Sequence, residues 1–147
     1  MKALIICKSY HHGNTKKVAE AMAVALNAEI KTPDEADAKA LTEYDIIGFG
    51  SGIFYSKFHK EILAFVDELP PMNKKAFIFY TCGNERGESY VQDLKQKLSE
   101  KGFQVVGQFS CPGWDTVGPL ALIGGIQKGR PNEEDLKKAG EFAKGLV

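Results

Sequence analysis

The chain has 147 residues, and its 19 Lys or Arg balance its 19 Asp or Glu, so the formal net charge is zero. This balance argues against nucleic acid as the main partner, since nucleic-acid-binding domains carry clustered positive charge. No apolar run approaches the roughly 20 residues that cross a bilayer, and the N-terminal run is too short for a signal peptide. We therefore expect a cytoplasmic protein without a membrane span, folded as one domain over residues 1–147.

The three cysteines are an odd number and show no C-x-x-C spacing. Reduced thiols are the expected state, as in most cytosolic proteins. His11 and His12 are consecutive, and no carboxylate or Cys is spaced to complete a metal site with them. The sequence therefore predicts no metal centre.

Residues 2–26 indicate a strand, a polar loop and a helix. Ala3–Cys7 is a short apolar run, and residues 8–14 are small or polar. Val18, Met22 and Leu26 then recur at the spacing of one helical face. This layout is typical of phosphate binding, because the first helical turn has unpaired backbone N–H groups and a positive dipole end.

Specific residues of this loop suit a phosphate. Gly13 lets the backbone approach closely, and Ser9, Asn14 and Thr15 carry side chains that donate hydrogen bonds. The alternative is a helix capped by its own Asn14 or Thr15 that binds nothing. The loop alone leaves these two possibilities open.

Further strands and helices alternate along the rest of the chain. The strands are predicted at 29–31, 45–50, 76–80 and 103–109. Pro70 and Pro71 end the helix that follows residue 58, and Gly102 closes the next helix. A long Gly-rich connection over 112–131 leads to a last helix capped by Asn132.

The three inner strands are apolar throughout, which is typical of a parallel sheet covered on both faces. Right-handed crossovers restrict the topology, and five strands fit the order 2-1-3-4-5. The predicted fold is thus α/β, a three-layer doubly wound five-stranded parallel sheet. In this order the loops after strands one, three and four open at the same edge of the sheet, next to the switch point.

The second and third of these loops suit a flat ring. Phe54 and Tyr55 follow Ser51 and Gly52, and an exposed aromatic cluster favours stacking on a planar heterocycle. The alternative is that the rings fold back into the core, which we expect for Phe58. The loop over 81–89 offers backbone groups that could bind the polar edge of a ring, or it is a plain solvated loop.

With these three loops, the whole chain resembles the flavodoxins and flavodoxin-like proteins, which bind FMN non-covalently on this fold. The family's phosphate loop follows the pattern T/S-x-T-G-x-T, which Gly13 and Thr15 match, while Ser9 supplies the early hydroxyl. The resemblance implies FMN as the cofactor, and it implies no catalytic side chain. The implied cofactor-binding residues are Ser9, His11, His12, Gly13, Asn14, Thr15, Ser51, Gly52, Ile53, Phe54, Tyr55, Thr81, Cys82, Gly83, Asn84 and Tyr90.

The expected function is electron transfer through FMN, with a redox partner protein or a small-molecule electron donor or acceptor. One alternative is an oxidoreductase that uses NAD(P)H or a quinone. The segment I-F-Y-S-K-F-H-K is similar to flavodoxin-type protoporphyrinogen oxidases, although Phe54 replaces an Arg. The other alternative is a non-redox binding module on the same fold. The neutral charge differs from that of acidic carriers, whose charge steers them onto basic partners.

Overall fold

Five parallel strands form one sheet in the order β2-β1-β3-β4-β5, which confirms the predicted topology. The computed structural model describes residues 2–9, 13–52, 59–82, 91–113 and 129–146. The strands are β1 (Ala3–Lys8), β2 (Glu29–Lys31), β3 (Ile46–Gly52), β4 (Lys75–Cys82) and β5 (Gln104–Pro112).

Helices cover both faces of the sheet, so the fold has the three predicted layers. They are α1 (Asn14–Leu26), α2 (Lys60–Glu68), α3 (Gln92–Glu100) and α4 (Glu133–Lys144). α1 and α4 pack on one face, and α2 and α3 pack on the other. A 3-10 turn at Ala40–Glu43 ends the connection between β2 and β3.

Each face of the sheet has its own apolar core, because successive side chains of a strand point to opposite faces. In β1, Leu4 and Ile6 join the core under α2 and α3, while Ile5 joins the core under α1 and α4. Ile5 and Ile6 have no exposed surface. Burial of such a side chain stabilises the fold by about 1.5–3 kcal/mol. Because the side chains on both faces of the strand are buried, the strand is apolar without interruption.

The ends of the elements follow local signals in the sequence. α2 ends at Glu68, just before Pro70 and Pro71, which cannot continue a helix. Gly102 follows α3 with a φ of 91°, as predicted for the residue after a helix. Asn132 caps α4 through a reciprocal capping box with Asp135. The organisation of residues 1–147 as a single domain stays a prediction.

Within the described part of the chain, none of the helices combines the length and the apolar character that crossing a membrane requires.

Candidate functional site

The sheet brings the ends of β1, β3 and β4 side by side. Lys8 at the end of β1 pairs with Ser51 in β3, and Gly52 pairs with Thr81 in β4. Four predicted site residues, Ser9, Ser51, Gly52 and Thr81, therefore lie along one edge, and Cys82 ends β4 beside them. The predicted residues that lie outside the described ranges are His11, His12, Ile53, Phe54, Tyr55, Gly83, Asn84 and Tyr90.

The start of α1 lacks the cap that the sequence suggested. Gly13 is the N-cap residue, its φ of 68° is left-handed, and as a glycine it supplies no capping side chain. The prediction that Asn14 or Thr15 could be the N-cap is wrong, because the left-handed turn at Gly13 begins the helix earlier and makes both residues helical. A Cβ placed on Gly13 would meet no atom of the described residues within 4 Å, so the space beside it is open to that extent.

Charge at this helix start is also unusual. The first turn of α1 contains no acidic residue, while Lys16 and Lys17 are exposed there. Cations at the N-terminal end of a helix oppose its dipole. α4 shows the opposite pattern, with three acidic residues in its first turn. The start of α1 therefore provides positive potential and backbone donors to an anion.

Ser9 supports this first turn. Its hydroxyl oxygen accepts a hydrogen bond from the backbone N–H of Lys16 at 3.3 Å. Because a hydroxyl that accepts keeps its own proton, Ser9 still has a donor for a ligand. A cavity of about 370 Å³ lies on the β2 side of this turn, lined by Lys8, Ser9 and Lys16 together with Ile30, Thr32 and Glu35. A cavity of about 490 Å³ between α3 and β5 contains none of the predicted site residues.

Thr15 and Thr81 form a buried hydroxyl pair, with their Oγ1 atoms 2.7 Å apart. Their exposed fractions are 1% and 3%. Beside this pair, Asn14 packs against Gly113, where an added Cβ would lie 2.7 Å from Nδ2 of Asn14. The start of α1 is thus held against the ends of β4 and β5 by residues that the sequence singled out only as separate ligand contacts.

A second network closes the stem of the loop between β3 and α2. The hydroxyl of buried Ser51 donates a hydrogen bond to the carbonyl oxygen of Gly52 at 2.8 Å. The same hydroxyl accepts a hydrogen bond from the backbone N–H of His59 at 3.1 Å. Nδ1 of His59 in turn accepts the backbone N–H of Glu61 at 3.0 Å. The Glu61 carboxylate reaches Lys8 Nζ at 3.0 Å, which joins α2 to the end of β1.

His59 has a structural role as the N-cap of α2. Because Nδ1 accepts an N–H, the ring in this arrangement is neutral and its proton lies on Nε2. Burial lowers the pKa of His59 below its usual value; the Glu61 carboxylate opposes this shift, and Lys8 adds to it. Lys8 and Glu61 were not predicted, since only the fold brings residues so distant in sequence together.

The buried Cys7 thiol is unsuited to nucleophilic chemistry. Burial raises the pKa of the Cys7 thiol to about 12, so it stays protonated near neutral pH. Cys7 and Cys111 are both buried. Cys82 and Cys111 lie on the neighbouring strands β4 and β5. In the register of the sheet, Cys111 lies opposite Thr81 and Cys82 lies opposite Pro112. Among the described residues, no group of three His, Cys, Asp or Glu side chains is arranged to hold a metal ion.

Comparison with known families decides the identity of the fold. A family model described as a flavodoxin domain matches residues 4–113. The chain belongs to the flavodoxin family. The match begins in β1 and ends just after β5, so it covers all five strands of this flavodoxin-family protein. Members of the family bind FMN.

The chain is also similar to individual proteins. An uncharacterised protein of Methanocaldococcus jannaschii is 48% identical over 148 residues, which cover 100% of this chain and 99% of that protein. A flavodoxin of Streptococcus pneumoniae TIGR4 has a TM-score of 0.72 at 16% identity, with 99% of this chain and 97% of that chain covered. Oxidised flavodoxin 2 of Bacillus cereus has a TM-score of 0.69 at 22% identity, with 97% and 95% covered. At such identities, the two structures show that the fold is shared.

The described half of the site fits the phosphate end of FMN. The helix start has backbone donors, the cations Lys16 and Lys17, and a glycine at its N-cap, and the Ser9 hydroxyl accepts one of its backbone N–H groups. The ends of β3 and β4 lie next to each other, so the loops predicted to hold the ring both start from this edge.

Proposed function

We propose that this chain binds FMN non-covalently and transfers electrons through the bound flavin. The observation that carries the proposal is the start of α1, where Gly13 opens the helix without a side chain of its own and Lys16 and Lys17 follow. This helix start lies at the carboxyl edge of the sheet. The family to which the chain belongs binds FMN. This edge, at the switch point of the strand order, is where open α/β sheets bind ligands.

Electrostatics explain why an anion belongs at this position. A charge that opposes the helix dipole destabilises the helix by about 0.3–1 kcal/mol at an exposed site, and α1 has two such lysines. A bound phosphate makes the electrostatic energy at this end of the helix favourable, since it accepts hydrogen bonds from the backbone N–H groups and attracts both ammonium groups. α4 has its own acidic residues at the same place and needs no ligand.

The residues that would hold the phosphate are the Ser9 hydroxyl, the Thr15 hydroxyl and the backbone of Gly13, Asn14 and Thr15. The ring would lie against the loops that follow Gly52 and Cys82, where Tyr55 and Tyr90 stay the predicted ring contacts. Bound FMN supplies one- and two-electron chemistry, and the protein supplies binding, orientation and exclusion of water. The network of Ser51 and His59 supports the ring loop by closing its stem.

The redox partner of this protein is proposed from charge. The formal net charge is zero, so the protein lacks the strong acidic field that steers a carrier onto a basic partner. A protein partner would then be recognised by local contacts, and a small donor or acceptor such as NAD(P)H or a quinone is the alternative. We place the function in the cytoplasm, where thiols such as Cys7 and Cys111 stay reduced.

Flavin titration tests this proposal. Purified protein stripped of cofactor is titrated with FMN while visible absorbance and flavin fluorescence are recorded. We expect one FMN per chain, with a shifted absorbance band and changed fluorescence. A colourless protein that leaves the FMN signal unchanged at saturating concentration would show a non-redox module instead.

A second assay separates carrier from enzyme. The FMN-loaded protein is mixed with NADPH and an electron-accepting dye. Turnover by this protein alone identifies an oxidoreductase. Turnover that requires an added flavoprotein reductase identifies a carrier.

A further inference from the structure

We propose that Thr81 is a positioning residue for phosphate binding, although it lies on a strand that the phosphate need not contact. Its hydroxyl donates to Oγ1 of Thr15 and thereby directs the proton of Thr15 towards the phosphate of FMN. The contact is 2.7 Å long and both side chains are buried. This inference rests on the proposed FMN binding and assigns a role to a residue outside the phosphate loop.

Each threonine hydroxyl has one proton to donate and two lone pairs that accept. The 2.7 Å contact uses one proton, and either oxygen fits the geometry as the donor. The second proton therefore points away from the pair and needs another acceptor, because burial makes an unused donor unfavourable.

The position of Thr15 decides which proton is directed outward. Thr15 is the second residue of α1, in the turn whose backbone N–H groups face the proposed phosphate. Thr81 lies in β4, behind that turn. A phosphate oxygen is a stronger acceptor than a neutral hydroxyl, so it takes the proton of the nearer Thr15. Thr81 then supplies the proton between the two oxygens, and its donation strengthens the outward bond of Thr15.

The arrangement also restricts rotation of the Thr15 side chain. A free threonine hydroxyl rotates among several directions, whereas a hydroxyl that accepts from Thr81 has few directions left for its own proton. Preorganisation of this kind raises affinity because less freedom is lost on binding. The effect is specific to the phosphate, since the ring lies at the other end of the ligand.

The test compares FMN with riboflavin, which has the same ring and no phosphate. Thr81→Val keeps the shape of the side chain and removes its hydroxyl. We expect it to weaken FMN binding about three- to tenfold and to leave riboflavin binding unchanged. Thr81→Ser should bind FMN like the wild type, because it retains the donor. Thr15→Val should weaken FMN binding about tenfold or more.

The double variant separates positioning from an independent contribution. If Thr81 acts through Thr15, then Thr15→Val/Thr81→Val binds FMN no more weakly than Thr15→Val alone. The ³¹P chemical shift of bound FMN should move in Thr81→Val and return in Thr81→Ser. If Thr81→Val does not fold, Thr81→Ala removes the same hydroxyl without adding a methyl contact, and the same comparisons apply.

Three results would overturn the inference. They are unchanged FMN affinity in the variants that lack the Thr81 hydroxyl, equal losses for FMN and riboflavin, and additive losses in the double variant. The second result would show that the pair is only a structural clamp. A wild-type protein that binds neither ligand would defeat the proposed function as well, whereas wild-type FMN binding with any of the three results defeats the positioning role alone.

Discussion

The hydroxyl oxygens of Thr15 and Thr81 lie 2.7 Å apart in a contact that is closed to solvent. The contact joins the first turn of α1 to the end of β4, and Asn14 packs against Gly113 beside it. These contacts with the edge of the sheet, together with the Ser9 hydroxyl that accepts the Lys16 N–H, fix the start of α1, whose N-cap residue Gly13 has no side chain. This leaves the end of the helix stable in position and open to a ligand.

We predict that the effects of Thr15→Val and Thr81→Val on the stability of the cofactor-free protein do not add. Thr15→Val or Thr81→Val leaves one buried hydroxyl without its partner and should lower the free energy of unfolding by about 1–3 kcal/mol. The double variant removes both hydroxyls and keeps the shape, so it should lie within about 1 kcal/mol of the wild type. Urea unfolding of the four proteins measures this cycle. Losses that simply add would show that the two hydroxyls do not interact.

His59 predicts a pH dependence of stability. Burial holds its pKa in the native protein below the usual value, and the cap requires the neutral ring. Between the native pKa and about 6.5, the unfolded chain binds the proton more readily, so the free energy of unfolding falls as the pH falls through this window. Above 6.5 the ring is neutral in both states and contributes no slope.

The matched variant is His59→Asn, whose side-chain oxygen still accepts the Glu61 N–H but does not titrate. It should show a smaller decrease in the free energy of unfolding between pH 7 and pH 5 than the wild type. Because Asn is smaller, the two proteins are compared by this pH dependence and not by absolute stability. Equal slopes in urea unfolding would mean that His59 is not responsible.

We predict that Asp135 makes the strongest polar contribution to the free energy of unfolding at the start of α4. Its carboxylate accepts from Nε and from Nη2 of Arg130, at 2.6 and 2.8 Å, and from the backbone N–H of Asn132 at 2.9 Å. The Arg130 hydrogen bonds hold the pKa of Asp135 below its usual value. Its contribution is therefore complete above about pH 4 and is lost as the pH falls through the native pKa.

Asp135→Asn should lower the free energy of unfolding at pH 7 by about 1–3 kcal/mol, because charge-assisted hydrogen bonds are lost. Glu134→Gln is the control, since Glu134 is exposed and forms an ion pair with exposed Lys138 on the same helix. Thermal unfolding of both variants checks the difference. A control as destabilised as Asp135→Asn would indicate a general effect of charge on α4.

The sequence predicted the elements that are governed by local or periodic signals. Ile5 and Ile6 belong to an unbroken apolar run, and such a run is required where both faces of a strand are covered. Asn132 was recognised as a cap because the acidic residues that follow it complement the helix dipole. Strand order followed from chirality, given five strands and four crossovers.

Contacts between distant residues were beyond such signals. Thr15 and Thr81 are 66 positions apart, and the sequence presents them only as separate hydroxyls. Lys8 and Glu61 meet because β1 and α2 flank the same edge, which no periodicity encodes. The cap of α1 was assigned to Asn14 or Thr15 from residue type, whereas the backbone angle at Gly13 decides where the helix starts.

The most direct test of phosphate binding at the start of α1 is the ratio of FMN dissociation constants for Gly13→Asp and Gly13→Asn. Both residues tolerate the φ of 68°, and the open space at Gly13 accepts either side chain, so the pair differs mainly by one negative charge. We predict that Gly13→Asp binds FMN at least about tenfold more weakly than Gly13→Asn, with a ratio that shrinks as salt is added. Equal affinities of the two variants for FMN would contradict the account.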